Sequence, residues 1–89
     1  LKKGVYGVYL IVHGKRYKGM ANIGYNPTVG VLHNLSLEVN IFNFDQDIYG
    51  EEVDVDFIFR VRDECKFKSL NHLKEQLEKD KKHIDQFLD

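Results

Sequence analysis

The hydrophobic and polar positions of this chain change period once. Residues 4–62 read as strands and turns, with apolar side chains at every second position in the clearest segments, and over residues 69–88 they recur at helical spacing. Val5-Tyr6-Gly7-Val8-Tyr9-Leu10-Ile11-Val12 is rich in β-branched and aromatic residues and ends at His13-Gly14, a hairpin signal. The return strand is expected over Arg16 to Ile23, closed by Gly24, with Tyr25-Asn26-Pro27-Thr28-Val29-Gly30 as a turn or loop because proline lacks a ladder donor. A third strand is read from Leu35 to Phe44, followed by the polar turn Asp45-Gln46-Asp47 and then Ile48-Tyr49-Gly50.

The clearest alternation follows. Val53, Val55, Phe57, Phe59 and Val61 interleave with Glu52, Asp54, Asp56, Ile58, Arg60 and Arg62, which predicts a long strand with one side in the core and one in water. Asp63 to Lys68 reads as a charged connection around the single aromatic Phe67. Ser69 is a suitable N-cap, and Leu70, Leu73, Leu77, Ile84, Phe87 and Leu88 then mark one stripe of a helix with a polar gap near Asp80. Several short antiparallel strands and one terminal helix imply a small β-barrel or sandwich with the helix packed on it.

Composition narrows the class. Eighty-nine residues make one small domain, expected to bury about 60% of the surface its unfolded chain exposes. Hydrophobic residues at 43% suit a packed core and exclude a disordered chain. The net charge of −1 supplies no basic footprint for nucleic acid, so no nucleic-acid partner is expected. The lone Cys65 excludes an internal disulfide and a cysteine zinc cluster. No apolar run is long enough for a membrane helix and no signal-like start is present, so no membrane partner and a cytoplasmic location are expected.

One residue stands out within the third strand. Alternation sets Leu35, Leu37, Val39 and Ile41 on one face and Ser36, Glu38, Asn40 and Phe42 on the other. Glutamate is a poor strand former, so Glu38 is either a solvated outer-face position or a carboxylate aimed at a ligand. Other polar groups are plain by comparison. His13, His33, His72 and His83 are scattered, and no metal site is assigned to them. Glu75, Glu78 and Asp80 among lysines between Lys74 and Lys82 read as a solvated helix face, and Lys15, Arg16 and Lys18 as a small basic hairpin.

Five blocks in order carry a family resemblance. Gly4-Val5-Tyr6, Gly19-Met20-Ala21-Asn22-Ile23-Gly24-Tyr25-Asn26-Pro27-Thr28, Leu37-Glu38-Val39-Asn40, Asp47-Ile48-Tyr49-Gly50 and Arg62-Asp63-Glu64-Cys65-Lys66-Phe67 together resemble the riboflavin kinase domain of bacterial bifunctional FAD synthetases. The resemblance covers essentially the whole chain, residues 1–89. It implies an antiparallel six-stranded Greek-key β-barrel with one C-terminal helix, and transfer of the ATP γ-phosphoryl group to the 5′-hydroxyl of riboflavin, giving FMN and ADP.

What the resemblance implies for individual residues is specific. Glu38 falls on the family's catalytic base, a role one carboxylate can fill because a primary alcohol must lose its proton as it attacks phosphorus. Ile41, Asn43 and Tyr49 fall on the nucleotide contacts; read from the residues alone they are equally a core isoleucine, a turn asparagine and a surface tyrosine. Arg62, Cys65 and Phe67 fall on the flavin side, with Arg62 donating to flavin carbonyls, Cys65 offering mainly backbone, and Phe67 either packing on the isoalloxazine or plugging the barrel against the helix. The parent enzyme is expected to use ATP with Mg2+ and to carry an N-terminal adenylyltransferase domain.

The chain also departs from the family. A Phe-Pro-Thr-Ala-Asn block that helps hold the metal and phosphates is expected before the Gly-Val-Tyr strand, and the sequence opens after it, so no metal ligand is assigned. One barrel strand is expected to be missing with it. The unpaired edge that an opened barrel leaves could then pair with a second copy into a homodimer. A non-catalytic flavin- or nucleotide-binding barrel remains the alternative to the kinase, and an oligonucleotide-binding barrel is a weaker one.

Overall fold

A computed structural model describes residues 2–27, 33–47 and 50–89, the side chains of 25–27 and 33–35 excepted. β1 (Gly4–Val12) and β2 (Lys15–Pro27) are joined through His13 and Gly14, whose φ angles of 52° and 75° give the doubly left-handed turn that matches strand twist. β3 (His33–Ile41) pairs with β2, and β4 (Asp54–Arg62) returns to pair with β1. The order β3-β2-β1-β4, antiparallel throughout, is a Greek key. Helix α1 (Leu70–Phe87) follows.

The mainly β architecture with one terminal helix is therefore the one expected. Among the described residues the sheet has four strands, with β3 and β4 as its edges, so it is barrel-like without being closed.

The ladder register sorts the side chains between two faces, since residues opposite one another in an antiparallel pair project to the same side. On one face Val5, Met20 and Phe42 pack with Ile84 and Leu88 of α1. On the other, Tyr6, Val8, Leu10, Ala21 and Ile23 form a second cluster joined by Ile41, Val53, Val55 and Phe57. The alternation read in β3 holds, but its apolar set lies on the face without the helix, where Leu37 and Val39 remain 49% and 38% exposed. The polar set, Glu38 included, shares the helix-side face with Asn22 and Met20.

β4 corrects the single-face reading of its alternation. Its partners in β1 run Val8↔Phe57, Gly7↔Phe59, Tyr6↔Arg60 and Val5↔Arg62, skipping Ile58 and Val61 at two register shifts. Each extra residue turns the strand over. Phe57 thus joins the cluster around Val8, while Phe59 and Val61 pack on the helix side. The second shift brings Arg62 to the helix side as well, opposite Val5.

Two strand ends also differ from expectation. β2 runs on through Pro27, which pairs with His33, because β1 stops opposite Ile23 and leaves that side of β2 with no ladder for the missing N–H to break. β3 ends at Ile41 rather than Phe44, because Asn43 adopts a left-handed φ of 55°. Phe42 still donates its N–H to Lys18 O at 2.9 Å before the chain turns away.

α1 starts where its cap predicts. Ser69 Oγ accepts from the His72 N–H at 3.2 Å, and Leu88 closes the other end through its N–H to Ile84 O at 2.8 Å. The helix is held to the sheet by Ile84 and Leu88, by the Phe59–Phe87 ring contact at 4.1 Å, and by Tyr9 Oη, which accepts from the Asp89 N–H at 3.0 Å. Asp80 corrects the expectation of a solvated charged face: it is 2% exposed.

Candidate functional site

A cavity of about 570 Å³ opens between the helix-side face of the sheet and α1, within the usual range of roughly 300–1,000 Å³ for small-molecule sites. Val5, Met20 and Phe42 form its apolar floor, Asn22 and Glu38 its polar wall, and the segment after β4 its rim. From α1 come Leu73, Leu77 and Lys81, the last with its ammonium 5.4 Å from the centre of the Phe42 ring. A smaller hollow of about 190 Å³ shares Asn22, Glu38 and Glu64 with it and adds Gly24 and Ser36.

The predicted residues divide. Glu38, Arg62, Cys65 and Phe67 all line the large cavity. Ile41 does not, because it packs with the cluster on the opposite face. Asn43 is exposed in the turn after β3, away from the cavity lining. Tyr49 and Thr28 lie outside the described residues.

The strand position of Glu38 puts its carboxylate on the same face as Asn22, directly opposite in the ladder. Glu38 is exposed, and among the described residues nothing donates a hydrogen bond to its carboxylate. Asn22 Oδ1 is buried with no hydrogen-bond partner. Asn22 and Glu38 thus line one space, the first with a buried oxygen that has no partner and the second with an exposed carboxylate.

Arg62 is held quite differently. Its Nε donates to both Asp80 oxygens at 3.1 and 3.0 Å, and its Nη2 to Asp80 Oδ2 at 2.8 Å. Nη1 donates to Asp63 O at 3.0 Å and approaches Cys65 Sγ at 3.6 Å. The guanidinium lies 5.8 Å from the centre of the Phe67 ring. Hydrogen bonding to Asp80 raises the Arg62 pKa above its ordinary value, against the opposing effect of burial. Nearby, hydrogen bonding to Arg60 holds Asp63 below the ordinary carboxyl value.

Asn22 and Asp80 escaped the sequence reading. Asn22 belongs to the motif at residues 19–28, which implies no role for it. Asp80 had a visible signal, since it occupies the stripe position between Leu77 and Ile84, where an acid demands a buried partner.

An antiparallel Greek-key sheet carrying a terminal helix, with a carboxylate and a cation-aromatic rim around one cavity, defines a small-ligand β-domain. Residues 1–88 match the family model for riboflavin kinase, flavokinase, and the chain belongs to that family. It is 42% identical over 80 residues to the RNA-binding riboflavin kinase RibR of Bacillus subtilis, covering 90% of this chain and 35% of that protein. It is 47% identical over 79 residues to the bifunctional riboflavin kinase/FMN adenylyltransferase of Haemophilus influenzae, covering 88% and 25% respectively. A crystal structure described as a macrolide-efflux protein from Streptococcus pneumoniae superposes with a TM-score of 0.84 at 43% identity, over 90% of this chain and 26% of that one. The chain thus spans about a third or less of the length of these relatives.

The family implies ATP and a divalent metal in general. Among the described residues no three histidine, cysteine, aspartate or glutamate side chains gather as metal ligands, so these side chains do not by themselves fit a resident ion. Among the described residues no helix is long and apolar enough to cross a membrane.

Proposed function

We propose that this domain phosphorylates riboflavin, with Glu38 as the general base. The observation that carries the reading is the placement of an exposed strand carboxylate, without a partner among the described residues, in one cavity with Arg62, Cys65 and Phe67. In this mechanism the flavin ring lies toward Phe67 and the 63–67 segment, and its ribityl chain runs along the sheet toward Glu38. Glu38 accepts the proton of the 5′-hydroxyl as that oxygen forms its bond to the γ-phosphorus. The bond from the γ-phosphorus to the β–γ bridging oxygen breaks, and ADP leaves with that oxygen. ATP brings its divalent cation with it as co-substrate, and positioning and charge neutralisation supply most of the remaining catalysis. In this reading Asn22, on the cavity wall beside Glu38, accepts from a ribityl hydroxyl.

The nucleotide would approach from the outgoing end of β3, where Asn43 and Tyr49 follow Ile41 in sequence. Ile41 would act there through its backbone and its packing. The adenylyltransferase module and the phosphate-holding Phe-Pro-Thr-Ala-Asn block are, in this reading, parts of a longer bifunctional protein acting in the cytoplasm. The net charge of −1 favours small-molecule partners over nucleic acid.

Glu38→Gln in the full-length protein tests the assignment. FMN formation should fall by about 10²–10⁴-fold, while riboflavin binding, followed by flavin fluorescence, persists. Turnover near that of the unmodified protein would overturn the role of Glu38. Riboflavin binding without turnover in the unmodified full-length protein would instead favour a non-catalytic flavin-binding barrel.

A further inference from the structure

Asp80 is a buried acid in the middle of the helix stripe that docks on the sheet, and the catalytic proposal makes no use of it. Its carboxylate takes three hydrogen-bond contacts from Arg62, at 3.1, 3.0 and 2.8 Å, and a fourth from Gln76 Nε2 at 2.9 Å. A leucine at that stripe position would bury without desolvating a charge, and apolar replacements of buried ion pairs commonly match or exceed them in stability. What the ion pair adds is direction.

That direction points to the segment after β4. A guanidinium has five N–H donors; the Arg62 Nε–H and one on Nη2 go to Asp80, and the two on Nη1 face Asp63 O and Cys65 Sγ. Little donor capacity is left for a ligand. The same segment is seated at a second point, where the Glu64 carboxylate lies against Gly24 so closely that a Cβ there would fall 2.6 Å from Oε1.

We infer that Asp80 is a positioning residue for flavin recognition: by orienting Arg62 it holds residues 63–67 over the cavity, and Arg62 acts on the flavin through that segment and Phe67. The substrate half of this inference rests on the kinase reading, whereas the half concerning the segment does not.

The experiment is Asp80→Asn in the full-length protein, read in two ways. Amide hydrogen exchange at residues 63–67, without ligand, should accelerate at least tenfold while amides of β1 and β2 keep their protection. The KM for riboflavin should rise at least tenfold with the KM for ATP moving less than twofold. Arg62→Lys should produce the same pattern, and the double variant should be no worse than the weaker single one. Unchanged exchange at 63–67 in folded Asp80→Asn overturns the inference. So does exchange rising across the whole sheet with both KM values, which marks a merely structural role. If Asp80→Asn does not fold, Asp80→Glu carries the same measurements. If the unmodified protein forms no FMN, the kinase reading falls and hydrogen exchange alone decides whether Asp80 holds the segment.

Discussion

Asn22 of β2 and Glu38 of β3 stand opposite each other in the ladder and line the same cavity, one with a buried unpaired oxygen and the other with an exposed carboxylate. A buried acceptor without a partner destabilises the fold it sits in. Its retention beside Glu38 makes sense if a ligand hydroxyl completes it. Asn22→Leu should therefore leave thermal stability unchanged or raised, because an unsatisfied group is removed. Turnover per riboflavin concentration should fall about tenfold, the loss of one hydrogen bond worth about 1.4 kcal/mol. Thermal melts and kcat/KM measured side by side check it, and a large stability loss with unaltered kinetics would contradict it.

Gly7 of β1 makes a different kind of demand. Its backbone φ is unremarkable, but the Phe59 ring occupies the space where a Cβ would stand. Phe59 in turn packs on Phe87 and on His83 of α1. Gly7→Ala should force the ring toward the helix and destabilise the domain by about 1–3 kcal/mol through overpacking. Chemical denaturation gives the value. Gly14→Ala has open space around it and a positive φ of 75°, so any cost there is backbone strain alone.

The Arg60–Asp63 pair supplies a pH prediction. Asp63 is held below its ordinary value chiefly by the hydrogen bond from Arg60 Nη2, at 2.6 Å. A carboxyl depressed on folding contributes stability that is fully present above its unfolded value, about 3.9, and lost as the pH falls through its lower folded value. The contribution is small because Asp63 is exposed. Its titration followed by NMR should show a midpoint below that of an unfolded aspartate, and Arg60→Gln should raise it. An unaltered midpoint in Arg60→Gln would refute the pairing in solution.

The hairpin at His13-Gly14, the Ser69 cap and the stripe of α1 were readable because each depends on near neighbours in sequence. Arg62 was not. Strict alternation grouped it with Arg60 on one water-facing side, whereas the two register shifts against β1 part them, leaving Arg60 opposite Tyr6 and Arg62 on the helix side, where it meets Asp80. A bulge leaves no local signature in Phe57-Ile58-Phe59-Arg60-Val61-Arg62. Glu38 illustrates a related limit. The period of two separated its face from that of Leu37 and Val39, but which face receives the helix is decided by long-range packing. Hydrophobicity pointed to the wrong one, since the apolar face of β3 is left partly exposed. The grouping of Arg62, Cys65 and Phe67 along one rim follows from their closeness in a single motif block, whereas the Arg62–Asp80 contact beneath it required the tertiary fold.

Docking of α1 forms the roof of the cavity, so its anchor should control both stability and function. Ile84 is fully buried among Val5, Met20, Phe42 and Leu88, whereas Leu70, on the first turn, is 82% exposed. Ile84→Ala should cost about 2–5 kcal/mol from lost burial and the cavity left behind. Leu70→Ala should stay within about 0.5 kcal/mol, since it removes no packed contact. Because Leu73, Leu77 and Lys81 reach the cavity from the same helix, the Ile84 variant should also lose riboflavin affinity at temperatures where its sheet remains folded. Near-ultraviolet circular dichroism against temperature, with riboflavin titrations at each step, separates the two effects. Equal affinity in both variants below their melting temperatures would show that helix docking does not shape the site.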